Sequence, residues 1–206
     1  DSNLIRQISQ KGRVAKERSQ SPVVVHNELA KSYENFESLL HSYRIELIKL
    51  FEGKDNLIKL TYWDQLCKRD TIRSAPPSRS GIGQIAQVLY FMCHESLTNE
   101  LTQGKSKKNG LLQAASAIVG QSEFRIHLAT LRHKVNSHGH VDREGITEAE
   151  SQLLESNAHK FFMGAPLGIQ PDESVWQQYG IALIACVMTG LREEAIQFIK
   201  LLEELH

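Results

Sequence analysis

The chain predicts an all-α fold: a helical bundle built on long antiparallel helices and closed by a C-terminal helical hairpin. Three observations carry that prediction. Apolar residues recur at three- and four-residue steps through most of the sequence, the spacing of one face of a helix. No segment alternates apolar and polar residues with the period of two that a strand requires. The periodic stretches are separated by proline, glycine and serine clusters, where helices stop.

The elements follow in order. In "VVVHNELAKSYENFESLLHSYRIELIKLFEG", Leu29, Tyr33, Phe36, Leu40, Tyr43, Leu47 and Leu50 form one apolar stripe, so a long amphipathic helix is predicted from Val24 to Phe51. Pro22 precedes it and Gly53 follows it, the usual bracketing residues. A shorter helix is predicted at 58–68. The tract "RDTIRSAPPSRSGIG" predicts a loop, because of its paired prolines, serines and glycines. "IGQIAQVLYFMCHESLTNEL" predicts an apolar helix from Ile82 to Leu101, closed by the basic loop "TQGKSKKNG". Helices are predicted at 111–119 and 122–136. "ITEAESQLLESNAHKFF" predicts another, with Thr147 as N-cap and Glu150 three residues on, a capping box. After the loop "MGAPLGIQPDES", two helices are predicted, folded back on each other through a Thr189–Gly190 turn.

With 206 residues, 41% of them hydrophobic, the chain has enough apolar material for one well-buried core. The expected organisation is a basic N-terminal segment (1–20), a bundle core (21–165) and the hairpin packed on it (166–206). The formal net charge is zero, which excludes a globally basic nucleic-acid or membrane binder. Charge is nevertheless segregated. Arg6, Lys11, Arg13, Lys16 and Arg18 crowd the start, while Glu193, Glu194, Glu203 and Glu204 mark an acidic end. Cys67, Cys93 and Cys186 are three in number and far apart; this argues against a disulfide framework and for small core residues in a reducing, cytoplasmic setting. No apolar run reaches the roughly 18 residues of a membrane span, and the first twenty residues lack the apolar centre of a signal peptide.

The chemistry concentrates in "TLRHKVNSHGHVDREG". Arg132 and His138 are six positions apart, and 600° of helical rotation would leave them on different faces. Asn136, Ser137 and Gly139 end a helix readily, so His138 is expected to swing back toward the groove that Arg132 faces. An imidazole with a pKa near ~6.5 moves protons at neutral pH, and a guanidinium grips a phosphate by two parallel hydrogen bonds. Together they suit RNA phosphodiester cleavage without a metal. Arg73, Arg79, Lys105, Lys107 and Lys108 are candidate contacts to the RNA backbone.

"LRHKVNSHGH" followed by "ITEAESQLLESNAHKFF" resembles the arginine-to-histidine motif of HEPN-domain proteins. Arg132 matches the motif arginine, His133 its polar neighbour and His138 the histidine; the more usual asparagine after the arginine is replaced by His133. The long helices at Val24–Phe51 and Ile82–Leu101 resemble the family's antiparallel core pair. The resemblance implies a helical bundle that often dimerises and often acts as a metal-independent ribonuclease in toxin or defence systems, with Arg132 and His138 catalytic and His133 at the RNA. It calls for no cofactor.

Other constellations are weaker. His138-x-His140 offers two metal ligands, with only Asp142 and Glu144 close in sequence to complete a site. "SGIGQIAQ" sets glycines at a helix start, where backbone N–H groups can hold a phosphate, but lacks the lysine of a P-loop. The alternative to an enzyme is a non-catalytic helical interaction module, an adaptor, regulator or nucleic-acid-binding accessory of a bacterial system, acting as a homodimer or with a protein partner and without a membrane.

Overall fold

A computed structural model describes residues 22–51, 69–103, 110–136, 147–164 and 172–204. The basic segment at 1–20 and the predicted helix at 58–68 lie outside the described residues. Among the described residues there is no β-strand, and the fold is an all-α bundle.

Helix α1 runs Pro22–Leu50. Its stripe is buried as the spacing predicts, from Leu29 through Tyr33, Phe36, Leu40 and Tyr43 to Leu47, with Phe51 closing the far end. The proline-serine tract is more ordered than its composition predicts. It contains the short helix α2, Arg69–Arg73, because the buried Ile72 and Ala75 anchor it to the core. Helix α3, Arg79–Tyr90, starts inside the same tract, where the Ser78 hydroxyl accepts from the Gly81 amide. Gly81 is required there: a Cβ would sit 1.7 Å from the Pro76 carbonyl oxygen.

The predicted helix to Leu101 changes character after Tyr90. Phe91–Glu95 forms a π-helical turn, closed by the Ser96 amide bonding back five residues to the Phe91 carbonyl at 3.0 Å. A break at Ser96–Thr98 and the short α4, Asn99–Gln103, follow. Helices α5 (Gly110–Gln121) and α6 (Glu123–Asn136) match their predicted positions. Helix α7, Glu148–Met163, opens on the predicted Thr147–Glu150 capping box and ends at Gly164, whose φ of 71° is left-handed.

The C-terminal hairpin is corrected. Glu173–Glu203 is one continuous helix, α8, capped by Asp172. Thr189 does not break it; its hydroxyl donates to the Ala185 carbonyl one turn back, a bond that helices accommodate. Gly190 is not a turn residue either. A Cβ there would lie 2.2 Å from Cδ1 of Phe124, so the glycine serves the close approach of α6. Leu183, Val187, Leu191 and Phe198 keep one face of α8 in the core on both sides of this point. The residues assigned to an appended hairpin therefore complete the main core.

The pairing of the long helices also differs from the predicted one. The most extensive packing of α1 is with α8, and the two run parallel: Leu29 lies over Gly180, and Tyr43 reaches Glu194 and Phe198. The antiparallel neighbour of α3 is α6: Arg125 donates to the Cys93 carbonyl just past the end of α3, while Leu131 lines one cleft with Ile82 near its start. No helix among the described residues is long and apolar enough to cross a membrane.

Candidate functional site around Arg132

Arg132 stands near the end of α6, and residues 137–146, including His138, lie outside the described residues. Its Nη1 donates to Glu95 Oε1 at 2.8 Å. The guanidinium carbon lies 4.5 Å from the ring centre of Tyr90 and 4.8 Å from that of Phe91. Such stacking holds the flat cation by its faces. The Arg132 side chain is 19% exposed, and its buried Nε has no hydrogen-bond partner. The result is a cation stacked on an aromatic ledge, braced by one carboxylate and partly exposed.

The π-helical turn builds this ledge. It brings Phe91 and Glu95 to one side of the turn's own helix, beside Tyr90 in the last turn of α3. Two turns earlier on α6, Arg125 clasps the same turn from within by donating to the Cys93 carbonyl. Seven residues rotate a helix through nearly two full turns, so Arg125 and Arg132 share one face of α6. One arginine holds the turn from the core and the other from its rim.

His94 stacks on Tyr90 with ring centres 4.9 Å apart. Burial, reinforced by the positive charge of Arg125, lowers its pKa to about 4. His94 is therefore neutral at pH 7 and is no candidate for the acid. Burial likewise raises Tyr90, helped by Glu95, so its phenol stays protonated. The depressed His94 carries a pH prediction. An unfolded histidine titrates near ~6.5, so between pH ~6.5 and about 4 the unfolded chain binds a proton that the folded chain refuses. Stability present above that window is lost as pH falls through it. Urea midpoints measured from neutral pH to the lower edge of the window should fall more for the native chain than for His94→Gln; equal slopes would contradict the assignment.

The remaining candidates divide. Arg73 is exposed and sits 3.6 Å from Glu34, itself half-exposed, a weak surface pair that leaves the cation usable. Arg79 is tied down further: its Nε donates to Glu155 Oε1 at 2.8 Å and its Nη2 to the same oxygen. Lys105, Lys107 and Lys108 lie outside the described residues, as do His138, His140, Asp142 and Glu144. His133 is described only as backbone of α6. Among the described residues no three histidine, cysteine or acidic side chains gather as metal ligands.

Two residues that the sequence reading passed over belong with Arg79. Glu155 and His159, one turn apart on α7, are both buried and line a cleft of about 250 Å³ with Arg79, Ser80, Gly83 and Leu131. Burial by itself would raise the Glu155 carboxyl; His159 and Arg79 outweigh it and bring the pKa down to about 2. The i, i+4 spacing of Glu155 and His159 was the available signal, hidden because the helix reads as amphipathic without them.

Comparison with known proteins adds nothing to this geometry: no family model, curated protein or solved structure matches the chain.

Proposed function

We propose that the chain is a metal-independent ribonuclease of the HEPN kind, a cytoplasmic toxin or defence component working as a homodimer on RNA. The observation that supports this reading is the presentation of Arg132: charged, stacked, braced by Glu95 and partly open, within two turns of His138 in sequence. His138 takes the proton of a ribose 2′-hydroxyl. The 2′-oxygen then attacks the adjacent phosphorus, the bond from phosphorus to the 5′-oxygen breaks, and the leaving oxygen is protonated by the second copy's motif or by water. Arg132 neutralises the charge gathering on the phosphoryl oxygens. The basic side chains Arg73 and Lys105–Lys108 guide the backbone.

Incubation of the protein with total RNA in excess chelator tests the reading. Cleavage is expected, and His138→Ala should lower its rate by about 10²–10⁴. An RNA pool that stays intact at high protein concentration overturns it. A second reading, a non-catalytic helical interaction module, is favoured by the large apolar side chains left exposed on α6, α7 and α8, Ile126, Leu153, Ile196 and Ile199. Intact RNA together with capture of a specific protein partner through these residues would support that reading.

A further inference from the structure

The cleft beside Arg79 has features that neither RNA cleavage nor the core requires. His159 is 2% exposed, and its Nδ1 has no hydrogen-bond partner. Its Nε2 faces Glu155 Oε1 at 3.5 Å, which leaves Nδ1 as the nitrogen to account for. Native interiors pair nearly all buried polar atoms, and an exception calls for an explanation. This ring lines an open cleft, so a bound group is one such explanation.

The other walls indicate which group. The cleft lies at the first turn of α3, the glycine-bearing helix start "SGIGQIAQ". The Gly81 amide is taken by the Ser78 cap, but helix geometry leaves the Arg79 and Ser80 amides without carbonyl partners inside the helix. The helix dipole adds partial positive charge at this end. Glu155 spends its nearer oxygen on Nε and Nη2 of Arg79, which fixes the guanidinium and leaves Nη1 for a ligand. The carboxylate thus acts as a brace for the arginine, with its charge matched by it.

We propose that this cleft binds a phosphate group, held by Arg79 Nη1, the first-turn amides of α3 and the ring of His159. A tetrahedral anion presents acceptors in enough directions to meet donors converging from α3 and α7 at once, which a planar carboxylate does not. At about 250 Å³ the cleft is smaller than the roughly 300–1,000 Å³ of pockets for drug-sized ligands, and suits a group more than a large molecule. The site stands whether or not the chain cleaves RNA.

The test follows the ring nitrogens of His159 by nitrogen-15 NMR on the full chain while inorganic phosphate, then adenosine 5′-monophosphate, replaces chloride at constant ionic strength. A saturable shift of the His159 signals is expected. Arg79→Gln should weaken the binding about tenfold or more, the value of one charge-assisted hydrogen bond. Arg79 is largely exposed, so the variant is expected to fold. Tighter binding of the nucleotide identifies a phosphomonoester as the ligand, and binding of inorganic phosphate alone identifies the free ion. His159 signals that ignore both, or that respond equally to chloride, overturn the proposal and leave the cleft to water.

Discussion

Replacing Glu194 by alanine should lower the unfolding free energy by about 3–5 kcal/mol, the cost of stranding a buried charge. Arg125 and Glu194 are 3% and 2% exposed at their side chains. The guanidinium gives Nε to Glu194 Oε1 at 2.6 Å and Nη2 to Oε2 at 2.7 Å, and donates again to the Cys93 carbonyl. Tyr43 donates to the same carboxylate at 2.9 Å, and Ser122 donates to it from the junction of α5 and α6. Without Glu194 the arginine cannot escape by losing its proton, because guanidinium stays charged in proteins. Burial would lower its pKa, but Glu194 reverses this and raises it. Against a typical total of about 5–15 kcal/mol, the loss removes a large share of the fold's stability. Urea unfolding of the variant should show a lower midpoint with an unchanged slope. The double variant Arg125→Met/Glu194→Leu should lose less than Glu194→Ala alone, since nothing charged is then left unpaired. A loss below about 1 kcal/mol in the single variant would mean that the pair does not join α1, α6 and α8 as its geometry implies.

That network also shows where the sequence stops being informative. The α1 stripe was legible because each of its residues is placed by its own helix: a spacing of three and four fixes the face, and the face fixes burial. The Thr147–Glu150 box was legible for the same local reason. Arg125 and Glu194, by contrast, are 69 residues apart, and each looks like a surface charge on an amphipathic helix. Only the parallel packing of α8 along α1 and across α6 brings them together. Arg132 and Glu95, 37 residues apart, were separated in the same way, so the arginine was readable as a candidate while its brace was not.

Gly190 carries a different lesson. Threonine followed by glycine reads as a turn because glycine tolerates turn geometry. Here the missing Cβ is used for space against Phe124, and the apolar series of α8 passes through unbroken. Composition reports what glycine permits; the neighbouring helix decides which permission is used. Ser78 to Gly83 shows the reverse, a tract read as a loop that the Ser78 cap and the buried Ile82 turn into the first turns of α3.

Arg132→Lys distinguishes a catalytic arginine from a structural one. Lysine keeps the positive charge and an attraction to Glu95, but loses the flat face that stacks on Tyr90 and Phe91 and the fork that grips two phosphoryl oxygens. If Arg132 acts on the transition state, cleavage of RNA should fall by about 10²–10³, the usual cost of removing one stabilising donor. Stability should change little, by about 1 kcal/mol or less, because the pair with Glu95 is only part-buried, at 19% and 34% side-chain exposure. Glu95→Gln should then produce a smaller loss of rate than Arg132→Lys, since it loosens the guanidinium without removing it. The opposite pattern, a rate unchanged by Arg132→Lys alongside a marked drop in the unfolding midpoint, would assign Arg132 to the packing of α6 on the π-helical turn. The two outcomes separate because the aromatic ledge serves stability through the arginine's faces, whereas phosphate recognition uses its fork of N–H donors.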